Sequence, residues 1–354
     1  MSHTWFSDLT GFGRSLEHVS ILSDNAGWSL SEDARHLRWI VEQAGMKSVP
    51  FRGLWACQHV FCTDRYKALK LLKLYPWPRA RLSIPYYHGY PGEGDRIFDS
   101  LYEKVLAAKD TLYRIQVTHE RMRTILLEGG IPSEKLVTIP IGIDCTAFTP
   151  KSAETACAAR EEFGIPREAV VIGSFQKDGN GWEEGLTPKM VKGPDILCDA
   201  LAILRRDVPE LFVLLSGPAR GYVKERLTAL GIPFSHQVFS EAAQLSRCYH
   251  AVDAYVVSSR QEGGPKAVLE SMASGVPLVS TSVGQATELV RHGWNGLLAD
   301  GFTGEELAAH VARVLGDSDL RREMVKNGLQ TAEANSYAAQ VPVWKAFFGK
   351  EERV

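Results

Sequence analysis

Cysteine is scarce in this chain of 354 residues: there are six, and no two form a C-x-x-C pair. A chain of this length needs no disulfide framework, so thiols in a reducing compartment are expected. An excess of charge of one sign is missing as well. The 40 Lys and Arg face 42 Asp and Glu, a net of −2. That balance speaks against a protein built on bulk nucleic-acid electrostatics, and no nucleic-acid partner is expected. No apolar run approaches about 18 residues, so no spanning helix is expected. Met1-Ser2-His3-Thr4-Trp5 leads into no basic-then-apolar pattern, so no secretory leader is expected. The single D-x-D, Asp317-Ser318-Asp319, reads as a helix N-cap, and no metal site is expected. No internal repeat stands out.

What is present is ordinary globular composition, 45% hydrophobic and 23% charged, in a length suited to roughly two domains. Short apolar runs alternate with longer helical patterns. Strands are predicted at 18–22, 48–50, 80–84, 115–118 and 136–140, with helices over about 31–45 and 120–127. The pattern then restarts. Strands are predicted at 170–173, 211–215, 254–257 and 277–280, and helices at 195–204, 223–230, 305–315 and 320–333. The break lies near Thr149-Pro150-Lys151. Repeated βαβ order predicts parallel sheets in two Rossmann-like α/β domains, 1–149 and 150–334. A tail over 335–354 carries Tyr337, Trp344, Phe347 and Phe348 and must pack on another element.

One segment concentrates chemistry. After the apolar strand ending at Val257 come Glu262-Gly263-Gly264-Pro265-Lys266 and then Glu270-Ser271-Met272-Ala273-Ser274-Gly275-Val276-Pro277. Pro265 is placed at the start of a helix, where a missing N–H costs nothing. The glycines let backbone approach a ligand, and the free N–H groups of the helix start suit a phosphate or diphosphate. The loop sits at the carboxyl end of a parallel strand, where such sheets bind ligands. Glu262 and Glu270 suit hydroxyl groups on either side of that anion, one on a sugar and one on a ribose.

These strings resemble the E-x7-E motif of family 4 glycosyltransferases. Val283-Gly284-Gln285-Ala286-Thr287-Glu288, Gly293-Trp294-Asn295-Gly296, Lys192-Gly193-Pro194-Asp195 and Ile139-Pro140-Ile141-Gly142-Ile143-Asp144 extend the resemblance over most of residues 115–300. It implies the GT-B fold, two Rossmann-like domains with parallel sheets facing a central cleft. The tail helix is then expected to return to the first domain. Glu262 would contact hydroxyls of the donor sugar and Glu270 the ribose. Backbone around Gly263, Gly264, Pro265 and Lys266 would hold the diphosphate. A Rossmann helix with solvated glutamates is the plain alternative, and it leaves the Gly-Gly-Pro start unexplained.

The family's G-R-L…K-G pattern is only half present. Gly173-Ser174-Phe175-Gln176-Lys177 puts serine where arginine is expected, and an insertion over 178–189 separates it from Lys192-Gly193. Lys177 is expected to replace the arginine, with Lys192 as the second cation stabilising the leaving group. An exposed loop lysine is the alternative for Lys177. His88, in Ile84-Pro85-Tyr86-Tyr87-His88-Gly89, is the candidate facing the donor sugar, and Gly27 a candidate in the loop after the first strand; either could equally be structural.

The resemblance further implies retention at the anomeric carbon, no enzymatic nucleophile and no metal. The co-substrate would be a nucleoside diphosphate sugar, UDP- or GDP-linked, with no bound cofactor. The acceptor would be a carbohydrate or lipid-linked hydroxyl. The stretch 64–81 carries Arg65, Lys67, Lys70, Lys73, Arg79 and Arg81 against Asp64, interleaved with leucines and Trp77. It reads either as a core-facing helix with a basic outer face or as a peripheral contact with an anionic membrane. A cytoplasmic enzyme, peripheral at the inner membrane face in the second case, is expected. Two other readings remain: a GT-B epimerase or phosphorylase, and a nucleotide-sugar-binding protein without catalysis.

Overall fold

The computed structural model describes residues 18–23, 29–51, 58–73, 80–87, 89–92, 96–181, 183–239 and 242–349. They form two compact units. The first comprises residues up to 116, 125–137 and those from 340 onward; the second comprises 117–124 and 138–339. The chain therefore passes between the units more than once.

The first unit holds β1 (His18–Leu22), α1 (Ser29–Gln43), β2 (Lys47–Ser48), β3 (Gln58–Cys62), α2 (Arg65–Leu72), β4 (Ala80–Pro85), α3 (Arg96–Ala107) and β5 (Leu112–Val117). The helix α4 (Glu120–Glu128) and strand β6 (Leu136–Thr138) follow. The strand order is β2-β1-β3-β4-β5-β6, with parallel neighbours.

The apolar pattern does not predict β3, because it opens on Gln58 and His59. Both are fully buried, and the cost of burial is met across the sheet. Ser20 Oγ on β1 donates to Gln58 Oε1 at 2.9 Å. The His59 ring meets Ser83 Oγ on β4 at 2.8 Å. Burial pushes the His59 pKa down to about 3, so the ring is neutral.

A polar device also holds the aromatic tail. Arg114, on β5, donates to the carbonyl oxygens of Ala346 and Phe347 at the end of the C-terminal helix 341–348. A cation suits the negative end of a helix and satisfies its last carbonyls. Trp344, Phe347 and Phe348 are buried there, with edge-on contacts to Phe61 at 5.5 to 6.0 Å. Aromatic pairs prefer this geometry.

The second unit runs α5 (Ala153–Glu162), β7 (Val170–Phe175), α6 (Pro194–Asp207), β8 (Leu211–Ser216), α7 (Gly221–Ala229), β9 (Phe234–Gln237), α8 (Ala242–Ala251) and β10 (Ala254–Val257). It continues with α9 (Ala267–Ala273), β11 (Leu278–Thr281), α10 (Ala286–Leu289), β12 (Leu297–Ala299), α11 (Gly304–Gly316) and α12 (Ser318–Ala334). The tail helix, Val341–Phe348, is α13. The order β12-β11-β10-β7-β8-β9 makes a second six-stranded sheet. Its central strands β10, β8 and β11 are buried along their whole length, as parallel strands covered on both faces must be. Two six-stranded sheets of this kind, flanked by helices, are the expected α/β architecture.

One local reading needs correction. The helix after the Gly-Gly turn begins at Ala267, not at Pro265; Val268 N–H bonds back to Pro265 O at 3.1 Å in a tight preceding turn. Among the described residues, α3, α5 and α8 are helices that the apolar periodicity alone does not announce.

Candidate functional site

The carboxyl ends of β7, β10 and β11 gather the loops that the sequence singles out. Gly193 sets how closely they approach. Its backbone is left-handed, φ 59°, and a Cβ there would lie 1.9 Å from the carbonyl oxygen of Ser258. Only glycine fits, so the start of α6 lies directly on the exit of β10. The contact is then knitted together. The N–H groups of Arg260 and Gln261 donate to Val191 O at 2.9 and 3.1 Å. The Arg260 guanidinium grips both carboxylate oxygens of Asp195, at 2.7 and 2.5 Å. Partial burial alone would raise the Asp195 carboxyl; the Arg260 bonds outweigh it and hold it below the usual range.

This arrangement brings two predicted site residues together. Lys192 Nζ pairs with Glu262 Oε1, and both side chains are mostly buried. Ser259 Oγ donates to the same oxygen at 2.9 Å. The Lys192 carbonyl accepts from Gln176 Nε2 at 3.1 Å and Ser258 Oγ at 3.3 Å. The lysine is thus fixed at both backbone and ammonium.

Three separate motifs meet behind the Gly-Gly turn. Gln285 Oε1 accepts from Ile141 N–H at 2.8 Å, and Gln285 N–H donates to Gly263 O at 3.0 Å. Thr118 Oγ1 donates to that carbonyl at 2.6 Å. A trans peptide is planar, so clamping the Gly263 carbonyl turns the Gly264 N–H to the opposite side. A Cβ on Gly264 would sit 2.6 Å from Ile141 Cδ1. Lys266 is the N-cap of α9 and is half-buried, as Lys177 is.

Glu270 stands in the first turn of α9, and Tyr249 Oη donates to its Oε2 at 2.8 Å. Tyr249 is fully buried, edge-on to Phe175 at 4.8 Å and against Tyr255 at 5.0 Å. Burial, then the Glu270 charge, pushes the phenol well above its ordinary value, so it stays a donor. No spacing rule points to Tyr249; its partner is 21 residues away and only packing unites them.

Two further groups lie nearby. His119 is buried with Nδ1 3.0 Å from Thr118 Oγ1, and burial pushes its pKa down to about 4 despite Glu288. Arg220 has a fully buried guanidinium that donates to Ser174 O at 2.6 Å and Ser174 Oγ at 3.2 Å. The position where the family pattern has arginine therefore receives one from elsewhere in the chain.

His88 and Gly27 lie outside the described residues, as do 74–79 of the basic stretch. Within the described part of that stretch, α2 is capped by Asp64 and buries Ala68 and Leu69. Among the described residues no helix is long and apolar enough to cross a membrane. Asp317 caps α12, accepting from Asp319 and Leu320 N–H at 3.1 and 2.9 Å.

Residues 187–331 match the family described as glycosyl transferases group 1. The D-inositol 3-phosphate glycosyltransferase of Thermobispora bispora is 31% identical over 233 residues, 61% of this chain and 50% of the relative. That of Corynebacterium urealyticum is 29% identical over 224 residues, 60% of this chain and 50% of the relative. The chain spans about half the length of the curated relatives it matches. Among solved structures, Anabaena HepE in complex with UDP and glucose superposes with a TM-score of 0.74 at 17% identity, covering 94% of this chain and 98% of that one. Sucrose-phosphate synthase from Thermosynechococcus elongatus gives 0.73 at 15% identity, with 94% and 98% covered. The fold is GT-B.

Proposed function

We propose that this chain, whose residues 187–331 match the glycosyl transferases of group 1, moves a sugar from a nucleoside diphosphate sugar to an acceptor hydroxyl with retention. The observation that carries this reading is the meeting of Lys192 and Glu262 beside a Gly263–Gly264 peptide held by Thr118 and Gln285. A diphosphate brings anionic oxygens that an ammonium and oriented N–H groups can bind. Hydroxyls on the sugar and ribose suit carboxylates, and Glu262 and Glu270 stand ready as acceptors.

In the reaction the anomeric C–O bond to the diphosphate breaks, and negative charge grows on the departing phosphate oxygen. Lys192 and Lys177 neutralise that charge as it develops, which is the differential stabilisation that lowers a barrier. The acceptor hydroxyl attacks from the same face, and its proton passes to the leaving phosphate oxygen. Neither step calls for an enzymatic nucleophile or a metal. HepE is solved with UDP and with UDP-glucose, which supports a uridine nucleotide as the first donor to test. A carbohydrate or lipid-linked acceptor is assigned to the first unit. The basic face of α2 supports a peripheral position on the cytoplasmic side of an anionic membrane. Co-flotation of the protein with anionic vesicles at low salt is expected, and its absence removes the membrane contact.

The decisive experiment is a thermal-shift screen with UDP-, GDP- and ADP-sugars, with and without EDTA. A ligand that binds the folded state raises the transition by mass action. One sugar nucleotide is expected to raise it, unaffected by EDTA. No shift with any of them refutes the donor reading, and a shift abolished by EDTA refutes metal independence.

A further inference from the structure

The described residues of the insertion, 178–181 and 183–189, form a hairpin with a buried anchor. Gly179 and Pro188 bridge in antiparallel fashion. Asn180 N–H donates to Thr187 O at 2.9 Å, and Lys189 N–H to Asp178 O at 2.7 Å. The carbonyls of Glu184 and Gly185, near its tip, accept the first N–H groups of α7, from Gly221 at 2.6 Å and Tyr222 at 3.1 Å. The hairpin therefore caps that helix.

The anchor is Arg220. Its Nε lies 3.0 Å from Asp178 Oδ1, with both side chains fully buried. The same guanidinium donates to Gln176 O at 3.0 Å and to Ser216 O at 2.9 Å. It thus holds the residues on both sides of Lys177. Ala219, just before it, takes a left-handed backbone at φ 57°. An alanine persists there only when its surroundings over-determine the geometry. The Gln176 side chain carries the network on to the Lys192 carbonyl at 3.1 Å.

Resting on the donor reading above, we propose that the hairpin delivers Lys189 as a third cation to the donor diphosphate beside Lys177 and Lys192, and that Arg220 with Asp178 is the positioning pair that holds all three. The arginine that the family pattern places at 174 has become a buried brace, and ammonium groups take over the contact with phosphate. The Lys189 N–H donates to Asp178 O at 2.7 Å and its carbonyl accepts from Lys192 N–H at 2.8 Å, so the backbone ties Lys189 to both the anchor and Lys192. Ammonium groups carried by these neighbouring segments suit the anionic oxygens of a diphosphate.

Calorimetric titration of the full chain with UDP and with uridine tests this, after GDP and ADP have been screened beside UDP. Lys189 has an exposed side chain, and Lys189→Ala is expected to fold normally. It is expected to bind UDP about tenfold more weakly and uridine unchanged, the loss of one charge-assisted contact. The double variant Asp178→Leu/Arg220→Met replaces the buried pair with apolar groups, a change that folds tolerate. It is expected to keep a cooperative melt, lose at least as much on UDP, and keep uridine binding. Arg220→Lys, retaining charge without the fork, is expected to lose a smaller factor on UDP and is the variant to read if the double variant does not fold. A Lys189→Ala protein that binds UDP like wild type overturns the lysine assignment. A folded double variant, or Arg220→Lys, with wild-type UDP affinity overturns the positioning role. A wild-type chain that binds no nucleoside diphosphate overturns the donor reading itself, and this inference with it.

Discussion

Replacing Tyr249 with Phe removes one oxygen and leaves the ring in its aromatic box. The phenol donates to Glu270 Oε2 at 2.8 Å from a fully buried position. Hydrogen bonds to charged groups contribute about 1.5–3 kcal/mol. Without it the carboxylate loses a hydrogen bond that orients it, and a ligand must then do more of the orienting. Part of the bond energy should therefore appear as weaker nucleotide binding, about tenfold or ~1.4 kcal/mol. The assay is a comparison of two ligands, the nucleoside diphosphate and its 2′,3′-dideoxy analogue. Wild type is expected to prefer the ribose form, and Tyr249→Phe to lose that preference while binding the dideoxy form as wild type does. Its KM for the donor should rise more than kcat falls. The high proton affinity of Tyr249 adds a check. Donor binding should not weaken around the pH where an ordinary phenol ionises, because this one remains protonated. Equal losses on both nucleotides would mean that the variant disturbs packing, and the orienting role would be refuted.

Lys192→Ala removes the ammonium paired with Glu262 and should lower kcat by about 100- to 1,000-fold, as loss of a transition-state charge partner does; a steady-state assay that finds less than a few-fold change contradicts its role. His59, pushed down to about 3, stays neutral in the folded state. The unfolded chain takes up a proton near pH 6.5, so stability is complete above that pH and falls as pH drops toward 3. At pH 5 the loss is about 2 kcal/mol. His59→Gln should flatten the fall in Tm between pH 7 and 5, leaving the parts due to His119 and His236, and an unchanged slope counts against the assignment. Gly193→Ala forces a Cβ onto the Ser258 carbonyl at φ 59°. It should cost about 3 kcal/mol or more by denaturant unfolding, and a neutral outcome would mean that α6 does not lie on the β10 exit as described.

The parallel-sheet architecture was legible because its signals are local. Buried strands such as Ala254–Val257 read as apolar runs, and the Gly-Gly-Pro turn with Glu262 and Glu270 reads as a ligand loop. Strand β3 was illegible for the opposite reason. Gln58 and His59 look like surface residues until Ser20 and Ser83, on two other strands, supply their hydrogen bonds. Tyr249 and Arg220 carry no positional signal either, since each acts through a partner tens of residues away.

The sequence by itself determined the α/β class, the restart of the pattern in the second half and the candidate carboxylates, because periodicity and turn chemistry act between near neighbours. It also showed that position 174 holds no arginine. Only the tertiary structure decided that Glu262 pairs with Lys192, that Glu270 is held by Tyr249, and that Arg220 fills the gap at Ser174 as a brace for the hairpin. Those pairings rest on hydrogen bonds that form only when distant segments are buried together, and burial is what makes an unmade polar contact too costly to leave.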